Sequence, residues 1–553
     1  MSQEPEPKVI TYFRPGQLIF HVDGNLRDDP SRIEAMIRWA NESKFAKTNG
    51  ISLAPVTHGA IDFSPPVNTE QEELRTYDGL SYKSPPTKFR GPFSLIGVNV
   101  KSEKWPLPSN KKQDQEEALN ELLELAIHLN ENRANGLENP AAVSPNWLMS
   151  SSSQPGATGG PGGRPSPYSG SASTDKYNFD SEVLQKIRDE NTSDSLGEEN
   201  VVVAILDTVP KLKSGEDTDK ALDRIHNEWA AKGHALIDSL LGSKRKLINV
   251  FFDDIVDQPI PGIWPDGHIQ VEDHEYEMTD HGLFAAGIIH SLAPQAELYL
   301  FQVLNRFGVG DMLSIARALE QIHRDGTTFP KNRLVVNLSL TINIPIEVAH
   351  GRKDRMSDKI RDQILRVKAN EVANDKETVQ TIEWICNSLY AQGAKVIAAA
   401  GNNGQSNHRP QACYPAAFED VLGVGALPII SKKPQPSQKK VKTASYSNRS
   451  DRPEWTGITT LGGEEGKEKG VLGIYVGDFP QDAKGNREMN DSGWAWWAGT
   501  SFATPIISGM TAAVRGVMPA ESRVEEAVVK LLGAQEYQTE DFDEDVLWVK
   551  QRT

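Results

Sequence analysis

Cysteine is nearly absent: Cys386 and Cys413 are the only two in 553 residues. Two thiols cannot build a disulfide framework, so the fold must rest on a buried core, and a reducing compartment suits it. Long apolar runs are also missing. The most apolar stretches, such as residues 421–430, are far too short to span a bilayer, so no membrane partner is expected. The N-terminal stretch has no basic region followed by an apolar one, so no secretory signal is read and a cytoplasmic location is expected. Positive charge is in deficit: 59 Lys and Arg against 76 Asp and Glu leave a net charge of -17. That surface argues against nucleic acid or anionic membrane as the main partner. What remains, 38% hydrophobic and 24% charged residues, is the balance of a soluble globular protein. The length allows several domains, or one large α/β enzyme with an appendage.

What is present divides into three parts: residues 1–149, 150–174 and 175–553. In the first, residues 8–149 read as a small α+β domain. Pro15-Gly16 precedes a strand-like run at residues 17–22, and Ser31, with Glu34 three positions on, suggests a capped helix over 31–40. Strands are expected at 51–63 and 93–100. A second helix over 116–130 carries Leu119, Leu122, Leu123, Ala126 and Ile127 on one face. Residues 150–174 are rich in Ser, Gly and Pro, which cannot bury enough apolar surface to offset ordering entropy. They read as a linker open to proteolysis.

The third part carries the chemistry. Val201-Val202-Val203-Ala204-Ile205-Leu206 is a continuous apolar run, as expected of a parallel strand buried on both faces, and it ends in Asp207-Thr208. A helix is expected over 217–241. Asp280-His281-Gly282 opens another, rich in small and apolar residues. The runs Leu334-Val335-Val336-Asn337-Leu338-Ser339-Leu340 and Lys395-Val396-Ile397-Ala398-Ala399-Ala400-Gly401-Asn402 read as further buried strands. Residues 342–376 and 432–442 read as charged surface insertions. The acidic loop at 272–277 lacks the H-E-x-x-H spacing of a zinc site and is read as a solvated surface. Near the C-terminus, Gly499-Thr500-Ser501-Phe502-Ala503-Thr504-Pro505 starts a helix, with Pro505 expected in its first turn. Ser501 then stands where unpaired backbone N–H groups converge.

Taken together, these motifs strongly resemble those of the subtilisin-like serine proteases, or subtilases, over about residues 176–520. The resemblance implies a doubly wound parallel-sheet α/β catalytic domain. It implies catalytic roles for Asp207, His281 and Ser501, and an oxyanion role for Asn402. Ser339, Leu340, Thr341, Ala399, Ala400, Gly401 and Cys413 match the segments that line the substrate cleft. No cofactor is implied, although structural calcium is left open. The partner expected is a protein or peptide substrate. The chain departs from the family at Val209-Pro210, Leu283-Phe284 and Thr341, where glycine or Thr-His is usual. The element order of residues 8–149 and their close at Pro145-Asn146-Trp147-Leu148-Met149 resemble the family's inhibitory, ferredoxin-like prodomain. That likeness implies a tail bound in cis in the cleft and cut near Met149–Ser150 or within the linker; an unrelated accessory domain is the alternative.

The residue types suit one another. A serine hydroxyl is a poor nucleophile without a base beside it. Histidine, with an ordinary pKa of about 6.5, can take that proton and return it to a leaving amine. A buried carboxylate orients the imidazole, and an asparagine amide can donate to a developing oxyanion. The order Asp207, His281, Ser501 is the order found in subtilisin, and the assignment of roles by order rests on that match. Two other readings are a catalytically silent peptide-binding relative, motivated by the departures, and a Rossmann-like nucleotide enzyme. The latter lacks G-x-G-x-x-G after its first strand.

Cys413 and Thr341 put side chains where glycine would leave room, so the primary pocket should be shallow. A peptide library should show preference for small or medium side chains before the scissile bond. Strong selection of Phe, Tyr or Trp there would contradict this.

Overall fold

The computed structural model describes residues 13–26, 29–56, 59–63, 76–77, 80–81, 92–102, 112–132, 140–151, 164–171, 177–190, 201–242, 246–250, 270–271, 274–275, 277–342, 378–404, 409–429, 439–450, 457–464, 466, 468–480, 487–534 and 537–552. Most of the Ser/Gly/Pro segment, nearly all of the charged insertion at 342–376, most of the basic loop at 432–442 and half of the acidic loop lie outside the described residues.

The first part of the chain runs β1 (Phe13–Asp23), α1 (Pro30–Glu42), α2 (Lys44–Asn49), β2 (Ile51–Pro55), β3 (Ile61–Phe63), β4 (Phe93–Ser102), α3 (Lys112–Glu131) and β5 (Ala142–Ser151). The cap of α1 is Asp29, not Ser31: its carboxylate accepts from the Arg32 N–H, and Pro30 takes the first turn, where its missing donor costs nothing. The strand expected over 51–63 is two strands, both paired with β4. The main sheet is antiparallel with the order β5-β1-β4-β2. The expected apolar face of α3 is buried. The compositional boundary at residue 150 falls inside β5, which runs to Ser151. Beyond it, Ser166 and Pro167 pair with Trp496 and Ala495, and Tyr168 packs edge-on against Trp496. The aromatic partners order a stretch that composition alone marks as linker.

The rest is built on parallel strands. β6 (Val202–Asp207) is followed by α4 (Thr218–Ala231), α5 (Ala235–Leu241) and β7 (Leu247–Val250). Next come α6 (His281–Leu292), β8 (Glu297–Gln302), β9 (Val309–Asp311), α7 (Met312–Arg324), β10 (Leu334–Leu338) and β11 (Leu340–Ile342). α8 (Thr378–Ala391), β12 (Lys395–Ala399), β13 (Val421–Leu427), β14 (Ile458–Leu461), β15 (Val471–Ile474) and β16 (Trp494–Trp497) follow. The chain closes with α9 (Thr500–Gly516), α10 (Val524–Gly533), β17 (Tyr537–Thr539) and β18 (Asp545–Val546), and a short final strand at Lys550–Arg552. The helix expected over 217–241 is two helices, because the His234 ring accepts from the Ile237 N–H and starts a new one.

Seven strands form the parallel run β7-β8-β6-β10-β12-β13-β14. The connections go one way from β6 to β7 and β8, then reverse to β10. This doubly wound order puts a switch point beside β6, where α/β folds place their sites. β6 shows why its sequence is unbroken in apolarity. Val202, Ala204 and Leu206 join a core with α7, α8 and the N-terminal domain, while Val203 and Ile205 join one with α4, α6 and α9. Strand alternation thus feeds two layers, and neither face reaches water.

The N-terminal domain packs on α7 and α8. The Phe93 ring lies edge-on to Trp384 at 4.8 Å, and a Cβ on Gly97 would stand 2.6 Å from Leu313 Cδ1. The contact is also polar: the buried Arg14 guanidinium meets Asp311 at 2.7 Å, and the Asp62 N–H donates to Glu320. Among the described residues no helix is long and apolar enough to cross a membrane. The two cysteines form no disulfide; Cys386 is buried and Cys413 half-buried.

Candidate active site

Asp207 ends β6 fully buried, so its charge needs partners. It has them: Oδ1 accepts from the Thr208 N–H at 2.7 Å and from His281 Nδ1 at 2.7 Å, and Oδ2 lies 2.9 Å from the same nitrogen. His281 is the first residue of α6. The helix start is pinned by Thr208, whose hydroxyl donates to the Met278 and Thr279 carbonyls and accepts from the Gly282 N–H. Gly282 permits this approach, since a Cβ there would stand 2.2 Å from the Thr208 carbonyl oxygen. With Nδ1 spoken for, the imidazole offers Nε2, which is buried and has no hydrogen-bond partner.

Ser501 is the second residue of α9, so its N–H has no carbonyl partner within the helix. Pro505 is not in the first turn but at the sixth helical position. It therefore removes the N–H that would meet the Ser501 carbonyl four residues back. Ser339 supplies the substitute: its hydroxyl donates to that carbonyl at 2.8 Å. Asn337 Nδ2 donates to Ser339 Oγ, and the Ser508 hydroxyl donates to Asn337 Oδ1. The Ser339 side chain is thus a brace for Ser501. The Ser501 hydroxyl is buried and, like His281 Nε2, has no partner.

Asn402 follows β12. Gly401, at φ +111°, makes the turn, and a Cβ there would stand 2.9 Å from Cys413 Sγ. The Asn402 side-chain oxygen accepts from the Thr500 N–H at 3.0 Å and the Thr500 hydroxyl at 2.9 Å. Its amide nitrogen is left buried and without a partner. The imidazole packs against the rings of Phe502 and Trp497, at 5.1 and 5.4 Å. So Asn402 and His281 each contact a residue adjoining Ser501. Sequence reading missed Thr208, Thr500 and Trp497. The run Trp494-Ala495-Trp496-Trp497, just ahead of the Ser501 motif, was the available signal.

The departures at Val209, Leu283 and Phe284 are taken up by the apolar core beside the site. Val209 and Leu283 are buried in the core on the α4–α6 side. The Phe284 ring lies tilted against Phe502 at 4.5 Å, and Gly473 makes its room, since a Cβ there would lie 2.5 Å from the ring.

β5 lies antiparallel to both β9 and β11. Leu148, Met149 and Ser150 pair with Asp311, Gly310 and Val309; Met149, Ser150 and Ser151 pair with Ile342, Thr341 and Leu340. Of the expected cleft residues, Leu340 and Thr341 thus contact the tail through backbone. Ala399 ends β12 and Ala400 and Gly401 follow it, with the Cys413 N–H donating to the Ala400 carbonyl. Asn403 and Asn448 amides donate to Cys413 Sγ. Among the described residues no group of three or more His, Cys, Asp or Glu is placed to hold a metal ion.

A doubly wound sheet carrying Asp, His and Ser on separate elements, with an Asn donor, has the layout of a subtilisin-like hydrolase. Residues 198–537 match the subtilase family, and the chain belongs to that family. It is 24% identical over 254 residues to the minor extracellular protease Epr of Bacillus subtilis (strain 168), which covers 44% of this chain and 28% of that protein. It is 25% identical over 243 residues to subtilisin of Bacillus sp. (strain TA39), covering 43% and 44% respectively. The chain therefore spans less than half the length of these relatives. Fervidolysin of Fervidobacterium pennivorans, a keratinolytic enzyme related to subtilisin, superposes with a TM-score of 0.45 at 13% identity, covering 100% of this chain and 64% of that one.

Asp280, just before the imidazole, has a pH consequence. Its buried carboxyl accepts from the Val476 and Gly477 N–H groups, and burial raises its pKa to about 6 against these bonds. A raised carboxyl stabilises the fold fully below its ordinary range and loses that contribution as pH rises through about 6. Asp280→Asn should therefore lose less stability than the wild type between about pH 4 and about pH 7. Urea unfolding at the two pH values measures this, and identical losses would contradict it.

Proposed function

We propose that the chain is a serine endopeptidase acting through Asp207, His281 and Ser501, with Asn402 and the Ser501 N–H as oxyanion donors. One observation carries the reading. His281 Nε2, the Ser501 hydroxyl and Asn402 Nδ2 are all buried and unpartnered, while the opposite ends of the imidazole and the amide are tied down by Asp207 and Thr500. Buried polar atoms without partners are costly, and they concentrate where function needs them. In this scheme Ser501 Oγ attacks the peptide carbonyl carbon as its proton passes to His281 Nε2. The oxyanion takes hydrogen bonds from Asn402 and the Ser501 N–H. The C–N bond then breaks, His281 gives its proton to the departing amine, and water releases the acyl group by the reverse route. No step calls for a cofactor.

A fluorophosphonate should label the wild type and not Ser501→Ala, and Ser501→Ala should abolish peptide cleavage. Asn402→Ala should lower kcat by about a hundred- to a thousandfold. An inert wild-type chain would instead favour a silent peptide-binding relative, and undiminished proteolysis by Ser501→Ala would sink the assignment.

The N-terminal domain is read as an inhibitor acting in cis. With α1 and α2 taken as one crossing and β3 as an addition to the edge of β4, its β-α-β-β-α-β order and the strand order β5-β1-β4-β2 support a ferredoxin-like fold. The antiparallel pairing of its last strand on both cleft walls supports substrate-like occupancy. Met149 and Ser150 are paired throughout, and Ser339, the brace of Ser501, comes just before Leu340, the partner of Ser151. That register favours the second of the two expected sites, a cut within the linker beyond Ser151, over the Met149–Ser150 bond. Ser501→Ala should accumulate as the full-length chain while the wild type shortens, and a 1–149 fragment should inhibit residues 175–553 in trans. A fragment that binds without inhibiting would make the domain an accessory one.

A further inference from the structure

The strands β17 and β18 form a hairpin that begins where the family match ends, at residue 537. β18 adds to the sheet beside β14, and β17 pairs back on β18. Their connection presents two carboxylates to Arg409, a guanidinium only 9% exposed. Arg409 Nη1 donates to both Asp541 oxygens, at 2.9 and 3.1 Å, and lies 2.7 Å from Glu544 Oε2. Glu544 is itself buried, and its other oxygen accepts from the Ser450 N–H and hydroxyl. The remaining donors of Arg409 turn the other way: Nε donates to the Ser447 carbonyl at 3.1 Å and Nη2 to the Asn448 carbonyl at 2.9 Å. A planar fork bonded through all three of its nitrogens fixes the backbone turn it touches.

That turn grips the segment carrying Asn402 from behind. The Asn448 N–H donates to the Gly401 carbonyl at 3.0 Å, and Asn448 Oδ1 accepts from the Asn403 N–H at 2.8 Å. Asn448 Nδ2 also donates to the Gln411 carbonyl. The residues on both sides of Asn402 are therefore held by one residue, which Arg409 holds in turn, and Arg409 is held by the hairpin acids.

We propose that Glu544 and Asp541, acting through Arg409 and Asn448, are positioning residues for the Asn402 amide. The proposal rests on the reading of Asn402 as an oxyanion donor. A buried guanidinium deprived of its buried counter-charge is drawn toward water and Asp541, and the carbonyls of Ser447 and Asn448 lose their donors. Asn402 then aims imprecisely at a charge that develops only in the transition state, so the loss falls on kcat and not on KM.

The test is Glu544→Gln in the full chain, with kcat and KM on a peptide substrate normalised to fluorophosphonate-titrated sites. We expect kcat to fall about tenfold with KM changed by less than about twofold. In an Asn402→Ala background the same substitution should change kcat by less than about twofold, because the positioned group is gone. An unchanged kcat in the chain that keeps Asn402, or an equal fall in both backgrounds, would overturn the inference. Asp541→Asn, whose carboxylate is 38% exposed, leaves the buried acid in place and should show a smaller fall with the same non-additivity, which keeps the test open if Glu544→Gln does not fold. Failure of the underlying reading would look different: the wild type itself would neither hydrolyse peptide nor take up the probe, and the inference would fall with it.

Discussion

A carboxylate without access to water has to be satisfied by the protein, and the burial of Asp207 is the constraint to which its surroundings conform. The Thr208 N–H and the imidazole satisfy it, and both demands set the start of α6. The close passage of Gly282 over Thr208, the buried placement of Leu283 and Phe284, and the space left at Gly473 all follow from bringing that helix end against the end of β6. The first layer around the imidazole is aromatic, so the Asp207–His281 pair lies in surroundings of low polarity where its hydrogen bonds gain strength.

The same economy governs the cleft. β9 and β11 are short strands that would present unpaired edges on both sides of a groove. β5 pairs with both, and the domain that carries it is anchored by an apolar face on α7 and α8 and by the Arg14–Asp311 pair. Asp311 serves two elements at once, since its other oxygen caps the Ser314 N–H at the start of α7. The cleft wall, the helix beneath it and the N-terminal domain are therefore not independent parts.

Much of this was legible in the sequence, for identifiable reasons. The parallel strands announced themselves because both faces are buried, which leaves no polar alternation in runs such as residues 201–206. The Asp207, His281, Asn402 and Ser501 motifs lie at strand or helix ends where their side chains have little choice of direction. What was not legible depends on partners distant in the chain. The ordering of Ser166 and Pro167 comes from Trp496, more than three hundred residues away. The true cap of α1 was hidden because Ser31 made an equally good local pattern, and the role of Ser339 as a brace could not be told from its place in a cleft motif.

The brace at Ser501 is not a local one. With Pro505 in the helix, the Ser501 carbonyl finds no local donor, and the one it does find is 162 residues earlier in the chain. A helix formed on its own would lack this bond until β10 and β11 docked against α9, so the backbone geometry at Ser501 depends on tertiary contacts. An isolated helix of this sequence would leave that carbonyl without its donor, so the setting of Ser501 belongs to the whole fold and not to its own segment.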